Sequence, residues 1–329
     1  MGEVFLPAEL PEPDAAAISA VRERAAQVIR PAGALARLDE VAAWLAGWQR
    51  SPRPAVRRPA AVVFVADHGV AAEGVSAYPA EVTAAMFRAL EGGGATAAAM
   101  ARRVGAELRV VDVGVGRPTG DIVREPAVSE DRFRECVDAG RRAVADLETD
   151  LLVLGEMGIG NTTAAAAVCA ALLGGPVEPW TGRGTGIDDD RYRRKVTAVE
   201  AARCRILGVS DPIEILRQVG GAELVAIAAA VVEARLRSIP VVLDGYVVAA
   251  SVAPLEVGRP GALDHCIAGH RSAEPGHRRL LERLRKAPLL DLDLRLGEAS
   301  GALAAIPLIA LAAACVTEVA TFEEQGVPR

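Results

Sequence analysis

Four short apolar runs, each closing on a polar residue beside a glycine, constrain this chain more than any other feature. Ala60-Ala61-Val62-Val63-Phe64-Val65-Ala66 leads into Asp67-His68-Gly69, and Leu151-Leu152-Val153-Leu154 into Gly155-Glu156-Met157-Gly158. Pro240-Val241-Val242-Leu243 leads into Asp244-Gly245, and residues 263–268 into Gly269-His270. Leu108-Arg109-Val110-Val111-Asp112-Val113 is a further strand candidate. Continuous apolar runs suit strands covered on both faces. Alanine-rich helical stretches lie between them, so the pattern predicts an α/β fold with a mainly parallel sheet and helices on both faces. In open sheets of this kind the ligand crevice lies outside the carboxyl ends of the strands. Polar, glycine-flanked strand ends therefore predict a shared site, although turns alone produce part of the pattern.

Before the first strand, Ile18, Val21, Ala25 and Val28 recur at helical spacing, as do Leu35, Leu38, Val41, Leu45 and Trp48. Ser51-Pro52-Arg53-Pro54 reads as a linker. With 329 residues, the chain is long enough for two domains, or for one large domain and a smaller companion. Its net charge of −6, with both signs interspersed, lacks the basic footprint of a nucleic-acid binder, and 3% aromatic residues are too few for base-stacking platforms. Five separated cysteines with no CxxC read as reduced thiols, so neither a disulfide frame nor a zinc site is expected. No signal peptide is expected at residues 1–7. The apolar stretch 302–316 contains Pro307 and is shorter than a bilayer span, so it reads as a buried core helix in a cytoplasmic protein.

Several segments can carry chemistry. Residues 155–163 form a glycine-rich turn feeding a helix that Asn161 or Thr162 can cap, a natural place for a phosphate or carboxylate. Tight strand-to-helix packing explains the same residues. Gly182-Arg183-Gly184-Thr185-Gly186 offers a second backbone cradle, with Lys195 able to supply the compensating charge. Asp188-Asp189-Asp190 suits a helix first turn better than a Mg2+ site. Asp67 and His68, adjacent on a strand end, point in opposite directions and suit structural hydrogen bonds rather than a relay. Ser76 lies on a loop within reach of a ligand. The segment 268–277, with His270 and His277, reads as a polar loop closing over a site. Glu298, in Arg295-Leu296-Gly297-Glu298-Ala299-Ser300-Gly301, sits before buried sequence. There a carboxylate either has its pKa raised by desolvation and serves as a base, or caps a helix and has it lowered.

Taken together, these segments resemble nicotinate-nucleotide–dimethylbenzimidazole phosphoribosyltransferases. The carriers are DHGVAAEGVSAYPAEVT from Asp67, GEMGIGNTT from Gly155, GRGTGIDD from Gly182, Lys195, VGG from Val219, LDG from Leu243, HRSAEPGH from His270 and RLGEASGA from Arg295. RPAGALARLDE from Arg30 and TFEEQGV from Thr321 extend the likeness towards both ends. The resemblance implies a Rossmann-like large domain over residues 53–302 and a small helical domain from residues 1–52 and 303–329. It further implies a homodimer, no metal and no cofactor. The implied reaction moves phosphoribose from nicotinate mononucleotide to 5,6-dimethylbenzimidazole, giving α-ribazole 5′-phosphate and nicotinate. Glu298 matches the general base, Lys195, Gly184 and Ser272 the phosphate region, Glu156 and Gly158 the ribose side, and Ser76 the benzimidazole pocket. Asn161, Asp244 and Leu296 complete the expected substrate-binding set.

The chain departs from the pattern at Ala299, where glycine is common, at Gly269, where serine is common, and at Ala84-Ala85, where glutamine often precedes Met86. Ala34, Ala36 and Val319 are further departures. The phosphate machinery is intact, while the base pocket is altered. The alternatives are therefore the same transfer to another benzimidazole, a purine or a phenol, or a non-catalytic nucleotide-binding homologue. A Rossmann-type oxidoreductase is disfavoured by the missing dinucleotide fingerprint.

Overall fold

The structure, a computed structural model, describes residues 5–328. Part of the no-leader expectation, residues 1–4, and the last residue of the small-domain range, 329, lie outside the described residues. Six strands form one fully parallel sheet in the order β2-β1-β3-β4-β5-β6. They are β1 Pro59–Ala66, β2 Glu107–Gly114, β3 Leu151–Met157, β4 Val241–Leu243, β5 Cys266–Arg271 and β6 Pro288–Asp291. The α/β class and the helices on both faces are as expected from the alternation.

β1 shows how the apolar runs are used. Val62, Phe64 and Ala66 enter one core, Ala61, Val63 and Val65 the other, and none has measurable exposure. Burying a side chain of the valine-to-phenylalanine size stabilises by roughly 1.5–3 kcal/mol, so a strand apolar on both faces is stable only at the middle of a sandwich. The larger core is closed by α5 (Glu130–Ala145), α6 (Asn161–Leu173), α9 (Ala222–Leu236) and α10 (Tyr246–Gly258). The other face carries α2 (Ala36–Gln49), α3 (Val82–Glu91), α4 (Thr96–Val104) and α12 (Ser300–Thr317).

The ends of the chain meet on this second side. Val21 of α1 (Ala15–Ala25) packs with Ala42, Ala46 and Val316. Val28, expected to continue α1, instead bridges to Thr321. That pairing uses backbone groups that a longer helix would have kept for itself.

The boundaries differ from expectation more than the elements do. β3 continues through Glu156 to Met157, because Val63–Val65 of β1 extend alongside it as pairing partners. β5 lies three residues later than expected and includes Gly269 and His270. His270 fits inside the sheet layer because it packs on Gly301, where an added Cβ would sit 2.1 Å from the imidazole. β6 is an addition to the expected strands. It is a four-residue, half-exposed edge strand without the strong apolar run of the central strands.

Helix α12 is long and apolar enough to cross a bilayer by composition. Its Leu303, Ile306 and Ile309 are spent instead on the sheet. Its N-terminus is seated without room for side chains. A Cβ on Gly155 would lie 2.2 Å from the Ala299 nitrogen, and one on Gly269 would lie 2.8 Å from the Ala302 Cα. Gly155→Ala is accordingly expected to cost ~1–3 kcal/mol, the usual scale for overpacking, and to displace the turn carrying Glu298. Urea denaturation of wild type and variant measures the cost. An unchanged midpoint would show that the turn gives way freely.

Candidate active site

The chain runs outward from β1 to β2, then returns past β1 to β3, so the strand order reverses between β1 and β3. That switch point leaves a crevice at the carboxyl ends. A cleft of about 840 Å3, mouth included, opens there. Ser76, Glu156, Gly158, Asn161, Gly184, Lys195, Ser272 and Leu296 of the expected set line it together. They come from five separate stretches of sequence. Asp244 and Glu298 lie immediately behind the lining.

Lys195 is drawn in from α7 (Asp189–Arg205) and is 1% exposed. Its ammonium donates to Thr162 Oγ1 at 2.8 Å and to the Gly182 carbonyl at 2.9 Å. Burial lowers its pKa to about 8, against the attraction of Glu274. Two of its three donors are thus placed by protein oxygens. Asp188 caps α7, accepting from the Arg191 N–H at 2.8 Å, while Asp189 and Asp190 pair with Arg183 and Arg193. The acidic run therefore serves the helix start, as expected.

Three expected details differ. Asn161 and Thr162 do not cap α6: its N-cap is Gly160, at φ 97°, with no side-chain bond. The Asn161 amide binds Glu156 instead, and the Thr162 hydroxyl holds Lys195. The Gly184 N–H, expected to await an anion, is already taken by Glu274 Oε1 at 2.7 Å. The expected loop over 268–277 resolves into the end of β5, a tight turn and the start of α11 (Pro275–Arg283). Within it the Ser272 N–H donates to Nδ1 of buried His277 at 2.9 Å, and His277 has its pKa pushed down to about 3 by burial. It acts as a neutral acceptor that fixes Ser272.

Glu298 is 2% exposed and borders the cleft behind Gly297. Gly297, Glu298 and Ala299 all have left-handed backbone, at φ 84°, 59° and 66°. The Glu298 N–H donates to the Glu156 carbonyl at 3.1 Å, tying this turn to β3. Glu298 does not cap α12, whose N-cap is Ala299. Its carboxyl pKa is raised by burial, opposed by the Ala97 N–H at the start of α4 and supported by the negative charge of Asp244. Of the two sequence readings, desolvation prevails. Asp244 accepts from the Ala302 N–H at 2.9 Å and so holds the first turn of α12. As expected, Asp67 and His68 diverge. Asp67 accepts from the Gly116 N–H at 2.7 Å, and His68 meets Glu223 at 2.6 Å, buried behind Gly158.

Sequence reasoning passed over Glu274 and assigned Thr162 only a capping role. The signal for both was present: each lies inside a quoted motif, close to a residue assigned to substrate.

A parallel sheet with a cleft at its switch point, holding a buried lysine among glycine turns, is the architecture of an α/β protein with a small-molecule site. The profile of the DBI_PRT family, described as phosphoribosyltransferase, matches residues 10–327. A nicotinate-nucleotide–dimethylbenzimidazole phosphoribosyltransferase of Cereibacter sphaeroides is 48% identical over 319 residues, covering 97% of this chain and 94% of that protein. One of Methylorubrum extorquens is 47% identical over 319 residues, covering 96% and 93%. A crystal structure of CobT from Thermus thermophilus superposes with a TM-score of 0.91 at 44% identity, covering 95% of this chain and 99% of that one. The chain belongs to the nicotinate-nucleotide–dimethylbenzimidazole phosphoribosyltransferase family.

Glu156 offers a check on the site's electrostatics. Burial raises its pKa to about 8, helped by Glu223 and Asp244 and opposed by Asn161. The folded protein therefore keeps a proton that the unfolded chain releases above its ordinary 4.5, so this group makes stability fall as pH rises from there to about 8. Glu156→Gln is expected to melt a few degrees above wild type at pH 9 and to match it near pH 5. Scanning calorimetry at both pH values measures this. A constant difference would remove the assigned titration.

Proposed function

We propose that this enzyme transfers phosphoribose from nicotinate mononucleotide to 5,6-dimethylbenzimidazole, yielding α-ribazole 5′-phosphate and nicotinate with inversion at the anomeric carbon. The carrying observation is that the buried Lys195 ammonium, Ser272 and Glu156 line one cleft directly bordered by the Glu298 turn.

The chemistry asks little more. The donor's nicotinate is already cationic at the ring nitrogen, so it leaves as a neutral ring when the C1′–N bond breaks. The acceptor's unprotonated ring nitrogen forms the new bond to C1′. Its other ring nitrogen loses a proton as the ring charge is relieved. Glu298 takes that proton, and its desolvated carboxylate is a better base than an exposed one. Lys195 and Ser272 hold the phosphate, Glu156, Gly158 and Asn161 face the ribose, and Ser76 and Leu296 meet the acceptor at the mouth. Asp244, one layer back, positions the start of α12.

The small helical unit of residues 1–52 and 303–329 set against 53–302 belongs to the same proposal, supported by the Val28–Thr321 bridge joining the two terminal segments. So do a homodimer, supported by exposed Tyr78 and Leu296 beside the cleft mouth, and a cytoplasmic location, supported by five free cysteines.

Purified protein incubated with nicotinate mononucleotide and dimethylbenzimidazole is expected to form α-ribazole phosphate, detected by mass. Binding of donor without product from dimethylbenzimidazole or any base of the panel below would leave only the non-catalytic reading. Glu298→Gln is expected to lower kcat about 100-fold or more, the scale for a general base, with donor affinity kept. Unchanged turnover would remove Glu298 from the role. A panel of benzimidazoles, purines and phenols reads the effect of Ala84-Ala85.

A further inference from the structure

Glu274 is the N-cap residue of α11, yet its side chain makes no capping bond. It reaches instead across the cleft wall to a loop 90 residues away, where Oε1 accepts from the Gly184 N–H at 2.7 Å. Its second oxygen, Oε2, is buried without a hydrogen-bond partner and faces Gly182, where a Cβ would lie 2.1 Å away. Gly182 is the residue whose carbonyl holds the Lys195 ammonium. The Gly182–Gly186 turn has no strand or helix pairing of its own, and Gly184 and Gly186 take left-handed backbone. One carboxylate thus bonds, at Gly184, the segment that aims Lys195, and packs closely against it at Gly182. On its own side the same turn carries Ser272, fixed by His277.

We propose that Glu274 is a positioning residue that locks the Gly182–Gly186 turn to the Ser272 turn and so sets the spacing of the phosphate end of the cleft. This rests on the reading of Lys195 and Ser272 as phosphate ligands. A glycine-rich turn released from its anchor samples many conformations, and a binding site must then order it at each encounter. The bond to Gly184 needs an acceptor oxygen, which glutamine keeps and alanine lacks, so glutamine holds the turn even without the carboxylate's attraction for Lys195.

Two variants and two readouts test this. Glu274→Ala is expected to raise KM for nicotinate mononucleotide at least tenfold, with KM for the acceptor base nearly unchanged and kcat at saturating donor within a few-fold. It should also speed limited tryptic cleavage after exposed Arg183 several-fold, without donor present. Glu274→Gln should match wild type in both. A general structural loss would lower the melting temperature and move both KM values together, and that pattern also overturns the proposal. Alanine indistinguishable from wild type, or glutamine as damaging as alanine, overturns it too, as does a glutamine variant that binds donor more tightly. That last outcome would make Glu274 a competing anion rather than a bracket. The tryptic readout does not depend on turnover. If wild type makes no product while the alanine variant is still nicked faster, the functional reading fails and the bracket stands.

Discussion

The seating of α12 on the carboxyl edge of the sheet is the constraint from which the site follows. Gly155, Gly269 and Gly301 each stand where a side chain would collide with backbone or an imidazole. Because they are bare, the helix start lies in van der Waals contact with β3 and β5. Asp244 takes up the N–H of Ala302, and the Glu156 carbonyl that of Glu298. Glu298 has no freedom to sit elsewhere. The rest of the cleft is arranged around that fixed wall, with Lys195 reaching in from α7.

Burial then decides what the ionisable groups do. Glu156, Glu223, Asp244 and Glu298 crowd one region, and water is largely excluded. Crowding of carboxylates in a dry place favours the protonated form of some of them. The result is a site in which Glu156 keeps its proton near neutrality, while Lys195 stays close to its titration range.

Much of this was readable from the chain. Apolar runs on both strand faces forced a covered parallel sheet, and polar residues beside glycine marked its working edge. The residues grouped by motif do meet in space: eight of the ten expected positions line one cleft. What could not be read is equally physical. β6 pairs on one side only, so it needs little apolar sequence to form. His270 lies inside a strand because a distant glycine vacates space for it, a fact no local window contains. Glu274 stands where a helix cap would, and its true partner, Gly184, is remote in sequence.

Ala299 illustrates how a departure from a family pattern is absorbed. A left-handed alanine costs roughly 1–2 kcal/mol over the right-handed conformation, and glycine would avoid it. Yet its methyl group is wholly enclosed and lies against Gly155, filling the space that residue leaves open. A buried methylene-sized group stabilises by about 0.8 kcal/mol, which offsets part of that cost. In this chain the bare strand residue and the methyl-bearing turn residue fit together, so the floor beneath the Glu298 turn is filled from the turn's side.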